Sequence, residues 1–202
     1  MKLRLCFYAF ALALTACSTT AADRYNQLAK KDSKDCAANV DALKSMPTKQ
    51  LSISTPSDGE LSSDSCLILK NGNRVSFEIY EFVATAPTQS VDILSFINAR
   101  GMGFGGENTV VWPMVILQKD GSDLLEIHPP SANNSHWIRN VWSGDRLQSS
   151  VRFKNLIPNA KYRLTIASTI GEMGKEIPGY HSTVAAGRIV IGPLGKIEIT
   201  LH

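Results

Sequence analysis

The sequence predicts a mainly β protein: an antiparallel β-sandwich, jelly-roll-like or immunoglobulin-like, preceded by a short helical N-terminal segment. Three observations carry that prediction. Two C-terminal runs alternate cleanly, with Tyr162, Leu164 and Ile166 opposing Lys161, Arg163 and Thr165, and Ile197, Ile199 and Leu201 opposing Lys196, Glu198 and Thr200. An Asn71-Gly72 pair stands between two apolar runs, a strong hairpin signal. Between residues 48 and 202 short strand patterns follow one another with turn residues between them and no helical period, which argues packed antiparallel sheets.

Taken in order, residues 1–16 read as a signal peptide. Lys2 and Arg4 form a positive start, and Leu5 to Leu14 an apolar stretch too short to span a bilayer. Leu14-Thr15-Ala16-Cys17 looks like the lipobox of bacterial lipoproteins. That resemblance implies diacylglycerol on the Cys17 thiol, cleavage before it and acylation of the new amine. Several acyl chains, at about 0.8 kcal/mol per buried methylene, hold where one does not. The other reading is an ordinary secretory signal with a chance cysteine. Ser18 stands where an aspartate would signal inner-membrane retention, so the expected location is the periplasmic face of the outer membrane.

Residues 17–47 are expected to be lipidated cysteine, tether and short helices. Asp23 is the candidate cap of a first helix carrying Tyr25, Leu28 and Ala29. Cys36, Val40 and Leu43 lie on one face of a second, with the polar run Lys30 to Asp35 between them and Pro47 closing the region. Residues 48–202 are the sandwich. Its expected strands are Leu67 to Leu69, Val75 to Tyr80, Val91 to Ile97, Val110 to Gln118, Leu124 to His128, Val151 to Phe153, Tyr162 to Ile166, Arg188 to Ile191 and Ile197 to Leu201. Two long connections, 98–108 and 129–147, are where function is expected to sit.

With a signal peptide and Cys17 accounted for, Cys36 and Cys66 remain as an even pair in an oxidising compartment. They form either a disulfide or two buried free thiols; no CxxC spacing suggests a redox or zinc site. The 202 residues hold 21 basic and 18 acidic side chains with no basic run beyond Lys30-Lys31, so a nucleic-acid partner is not expected.

Chemistry-bearing motifs are sparse. His128, His136, His181 and His202 show no metal-ligand spacing, and no Gly-x-Ser-x-Gly elbow is present. The glycines from Gly101 to Gly106 lack the strand-then-helix setting of a phosphate cradle. Neither catalysis, a metal nor a cofactor is expected. The segment from Ser135 to Trp142 gives the candidate ligand site: Trp137 and Trp142 as stacking platforms, with His136, Arg139 and Arg146 beside them. The alternative is that both tryptophans pack inward as cover for the sandwich, as Trp112 beside Pro113 should.

The order of features from residue 36 onward resembles the maltose-operon periplasmic protein family (MalM-like). The matching stretches are Ala42 to Pro47, Arg74 to Pro87, Val110 to Gly121, Asn159 to Ser168 and Ile177 to Leu201. The resemblance implies an envelope protein associated with maltodextrin use and supplies no catalytic residues. The resulting expectation is a membrane-anchored, non-enzymatic envelope accessory protein binding an oligosaccharide or other glycan. A structural or assembly lipoprotein that binds another envelope protein through a sheet edge comes second, and a hydrolase third.

Overall fold

A computed structural model describes residues 20–98, 108–120, 125–139, 145–169, 171–177 and 189–202. Cys17 and Trp142, like the glycines from Gly101 to Gly106 and His181, lie outside them. Among the described residues an α-helix, α1 (Ala21–Ala29), is followed by 3-10 turns at Ser33–Asp35 and Val40–Ser45. Then come β1 (Lys49–Gln50), β2 (Ser57–Leu61), β3 (Cys66–Ile68), β4 (Arg74–Val83), β5 (Gln89–Phe96), β6 (Asn108–Val110) and β7 (Met114–Lys119). The chain continues through β8 (Leu125–His128), a 3-10 turn, β9 (Ser135–Ile138), β10 (Arg146–Phe153), β11 (Lys161–Ala167), β12 (Ile189–Ile191) and β13 (Gly195–Leu201).

The strands make the mainly β, sandwich-like arrangement that the alternation predicts. One sheet runs β1-β4-β11-β7-β8, with β3 also paired to β4; the other runs β2-β13-β5-β10-β9. Every pairing in these two sheets is antiparallel except β1 with β4. Between the sheets lies the main core. Tyr80, Phe82, Leu164 and Ile166 come from the first sheet, and Val91, Ile93, Phe153, Ile197 and Ile199 from the second. Each strand places these residues at alternate positions, as period-two geometry requires.

Several local expectations change. Thr20, not Asp23, caps α1; Asp23 is the third residue of a capping box in which the Asp23 N–H donates to Thr20 Oγ1 at 3.1 Å and the Thr20 N–H to Asp23 Oδ2 at 2.9 Å. In the β3–β4 hairpin only Gly72 is left-handed, at φ +80°, because the Leu69 carbonyl accepts from the Gly72 N–H and the chain takes up the extra residue as a bulge. The expected strand from Val110 to Gln118 is broken at Val111-Trp112-Pro113. Pro113 has no N–H to give a ladder, and β6 leaves the sandwich sheet to pair in parallel with β12. Four strands, β1, β2, β6 and β9, were not separately expected.

Residues 20–47 are packed rather than strung out. Val75, Phe77 and Ile79 of β4 point away from the main core and would meet water without a cover. The cover is Leu43, with Val40, Met46 and Ala37 packed beside it. Polar clamps fix it: Arg163 Nη1 donates to the carbonyls of Leu43 and Met46 at 3.0 and 3.3 Å, and Lys31 Nζ to those of Ser63 and Asp64 at 2.7 and 2.6 Å. The Leu43 carbonyl also accepts from the Met46 N–H at 3.2 Å, so Arg163 shares it with the 3-10 turn. Cys36 and Cys66 form a disulfide, which ties the cover to the start of β3. No helix among the described residues is long and apolar enough to cross a membrane.

Candidate functional site

The second sheet's outer face mixes polar residues with a few apolar ones. Register places Phe96, Arg146 and Ile138 in one row of that face, and Leu94, Gln148 and His136 in the next. The Arg146 guanidinium stacks over the Phe96 ring, 4.7 Å from its centre. Further along, Asp92 accepts from Gln148 Nε2 at 2.8 Å and from Ser150 Oγ at 2.7 Å.

Of the residues expected to form a site, His136 and Arg146 therefore share this face. Trp137 does not. It pairs with Leu147 and turns to the opposite side, half-buried against a cluster of Val110, Trp112, Ile177, Ile189 and Ile191. Alternation along β9 forces the split, since neighbouring residues of a strand face opposite ways. The described part of the expected 129–147 loop holds a 3-10 turn at Ala132–Asn134, β9 and the first residues of β10. Trp112 is core as expected, 7% exposed, with Nε1 donating to Ser135 Oγ at 3.0 Å. Arg139 is exposed just past the end of β9.

Residues that no local motif marked form a cleft where this face wraps round the sandwich edge. It encloses about 680 Å³ and is walled by Phe96 and Lys196 from the outer face, Asp58 and Gly59 from β2, and Lys49 and Glu78 from the first sheet. At its base the Tyr80 hydroxyl donates to Glu78 Oε2, and Lys49 Nζ approaches Glu78 Oε1 at 2.8 Å. Burial, reinforced by the bond to Glu78 and by the charges of Glu78 and Asp58, pushes the Tyr80 hydroxyl far above its ordinary pKa. It stays a donor at every physiological pH and orients the carboxylate. A smaller and more apolar hollow of about 310 Å³ adjoins it, sharing Lys49, Asp64, Ser65 and Glu78 and adding Met46, Phe77 and Ile79.

Gly59 is what lets β2 lie against this pair. A Cβ there would overlap the Tyr80 hydroxyl and the Glu78 carboxylate and touch Ile197. Tyr80 is fully buried and cannot swing aside. Gly59→Ala should therefore cost about 1–3 kcal/mol, the usual range for overpacking a filled site. A urea titration checks it; an unchanged midpoint would mean that the cleft base yields freely.

Chemically the cleft offers hydrogen-bond acceptors and donors in close alternation beside one aromatic ring. Among the described residues no three His, Cys, Asp or Glu side chains come together as a metal-ligand set. The chain matches no protein-family model and no curated protein.

Proposed function

We propose that the protein is a lipid-anchored envelope accessory protein that binds an oligosaccharide in the cleft at the edge of its second sheet. The observation that supports this best is the composition of that cleft. Phe96 gives an apolar ring for the face of a pyranose, while Asp58, Glu60 and Glu78 accept, and Lys49 and Lys196 donate, to its hydroxyls. The hydroxyl of Tyr80 holds Glu78 in place, so part of the site is set before ligand arrives. The resemblance to the MalM-like family points to maltodextrins as the first glycans to try.

An open cleft of this kind should bind weakly, on the order of millimolar, or about 4 kcal/mol. Maltodextrins and peptidoglycan fragments titrated into the isotope-labelled protein should shift the amide resonances of β2, β13 and the end of β5. Phe96→Ala should abolish the shifts, and Trp137→Ala should not remove them if the variant is folded. Shifts centred on β9, or none with any glycan, would overturn the assignment.

The competing reading is a protein partner at a sheet edge. It draws on Ile127, which is 53% exposed on β8, an edge strand of the first sheet. Glycan-independent recovery of one envelope protein, lost on Ile127→Lys, would favour it.

The anchor has its own test. Acylation needs the thiol, so Cys17→Ser should move essentially all of the protein out of the membrane fraction or stall it uncleaved. Equal retention of the variant after a salt wash would remove the lipobox reading.

A further inference from the structure

We infer that the end of the sandwich holding the first turn of α1 is a membrane-contact face, seated on the lipid surface instead of swinging on a long tether. The inference rests on the lipid anchor at Cys17 proposed above. Thr20 follows Cys17 by three residues, and extended chain covers at most about 3.6 Å per residue, so the leash reaches about 11 Å.

At Thr20 a capping box closes the first turn of α1. Ala21 is 2% exposed, Arg24 4% and Leu28 0%. Arg24 Nη1 donates to Thr109 Oγ1 at 2.6 Å, binding the first turn of α1 to β6. At the other end of the helix Arg74 donates to the Ala29 carbonyl and, at 2.9 Å, to Ser33 Oγ. Peeling α1 off to lengthen the leash would break the Arg24–Thr109 bond, leave the buried Thr109 hydroxyl without that donor and expose Leu28, all unfavourable. The helix is part of the domain and not spare tether.

Strand pairing then identifies which surface lies at that end. Thr109 pairs with Asn98 beyond the end of β5 and with Val190 of β12. Glu176 pairs with Val190, and the Lys175 carbonyl accepts from Ile191, so the 171–177 turn belongs to the same end. The Ala84–Asn159 and Pro87–Leu156 contacts mark the opposite end. The eight residues of β5 run between the two, a span of about 26 Å at 3.3 Å per residue. Phe96 and Lys196, on the cleft wall, lie toward the Thr109 end, so a bound glycan would be held near the bilayer surface.

The test uses the full lipidated chain, purified from envelopes and reconstituted into vesicles of phosphatidylethanolamine with a minority of phosphatidylglycerol. A trace of lipid spin-labelled at the headgroup acts as quencher. Lys175→Cys and Ile157→Cys each offer one thiol for a fluorophore, since Cys36 and Cys66 are paired and the Cys17 thiol is taken. Quenching should be severalfold stronger at position 175 than at 157. A flexible Gly-Ser insert between Thr19 and Thr20 should erase that difference while leaving the protein vesicle-bound. Equal quenching at the two positions, or a difference that the insert leaves unchanged, overturns the inference. Intact mass separates the two levels: a chain without acyl groups sinks the anchor reading and the seating with it, whereas an acylated chain with equal quenching sinks the seating alone.

Discussion

Phe82→Ala should lower stability by about 3–5 kcal/mol, the range for deleting a buried aromatic side chain. Phe82 is 1% exposed and sits where the two sheets meet. Its ring is stacked near Phe153 of β10, with centres 6.4 Å apart, and near Tyr162 of β11, at 5.7 Å. Removing it takes away transfer free energy, two aromatic contacts and the filling of a space that neither sheet can close alone. Guanidinium unfolding should show a large fall in midpoint with little change in slope. Ile157→Ala, at a site 51% exposed, is the control and should move stability by less than about 0.5 kcal/mol. A loss below about 1 kcal/mol at Phe82 would mean that the sheets do not pack there as described.

The core that Phe82 belongs to was legible because alternation reports one buried face. The runs Tyr162 to Ile166 and Ile197 to Leu201 put their apolar members into the main core as expected, and the hairpin at Gly72 forms. β4 was only half legible. Its Val75, Phe77 and Ile79 looked like the core side, yet they are roofed by the N-terminal segment while Tyr80 and Phe82 enter the sandwich. A strand buried on both faces normally reads as a near-continuous apolar run, and in β4 Ser76, Glu78 and Glu81 interrupt that run, so the second cover did not show. The roof itself was expected as a helix with Cys36, Val40 and Leu43 on one face; it is instead two 3-10 turns, Ser33–Asp35 and Val40–Ser45, too short for a full helical stripe.

β2 was invisible for a different reason. Ser57-Asp58-Gly59-Glu60-Leu61 has no β-branched or aromatic residue, and its strand state comes from pairing with β13. Gly59 was the one available hint, since glycine inside a strand often marks a close approach by another group. The cleft shares this obscurity. Lys49, Asp58, Glu78, Phe96 and Lys196 come from five strands and meet only after folding. Residues near each other in sequence drew notice first, but the alternation of β9 separates His136 from Trp137. Among the described residues of that group, it is Arg146 that meets the cleft wall, through its stack on Phe96.

Replacing Cys36 and Cys66 together by alanine should cost about 3–4 kcal/mol. The bond joins residues 30 apart, and in the chain-entropy model a loop of that size gives about 3.6 kcal/mol at 25 °C. The cross-link acts mainly on the unfolded chain, so the variant should keep the native fold. Ala37 and Leu67 would still pair beside the missing bridge, with the Ala37 N–H donating to the Cys66 carbonyl at 2.7 Å and the Ile68 N–H to that of Ala37 at 2.9 Å. The Arg163 and Lys31 clamps would also remain. Loss should therefore show first as faster amide exchange over residues 33–46, ahead of global unfolding, because that roof is held by few apolar contacts once the staple is gone. Intact mass of protein taken from an oxidising compartment should rise by about two hydrogen atoms when a reductant supplies two electrons and two protons, one hydrogen for each thiol re-formed. Quantitative labelling of both cysteines without reductant would contradict the bond. A double variant as stable as the parent, with unchanged exchange over 33–46, would place the hold on the roof in the arginine and lysine clamps.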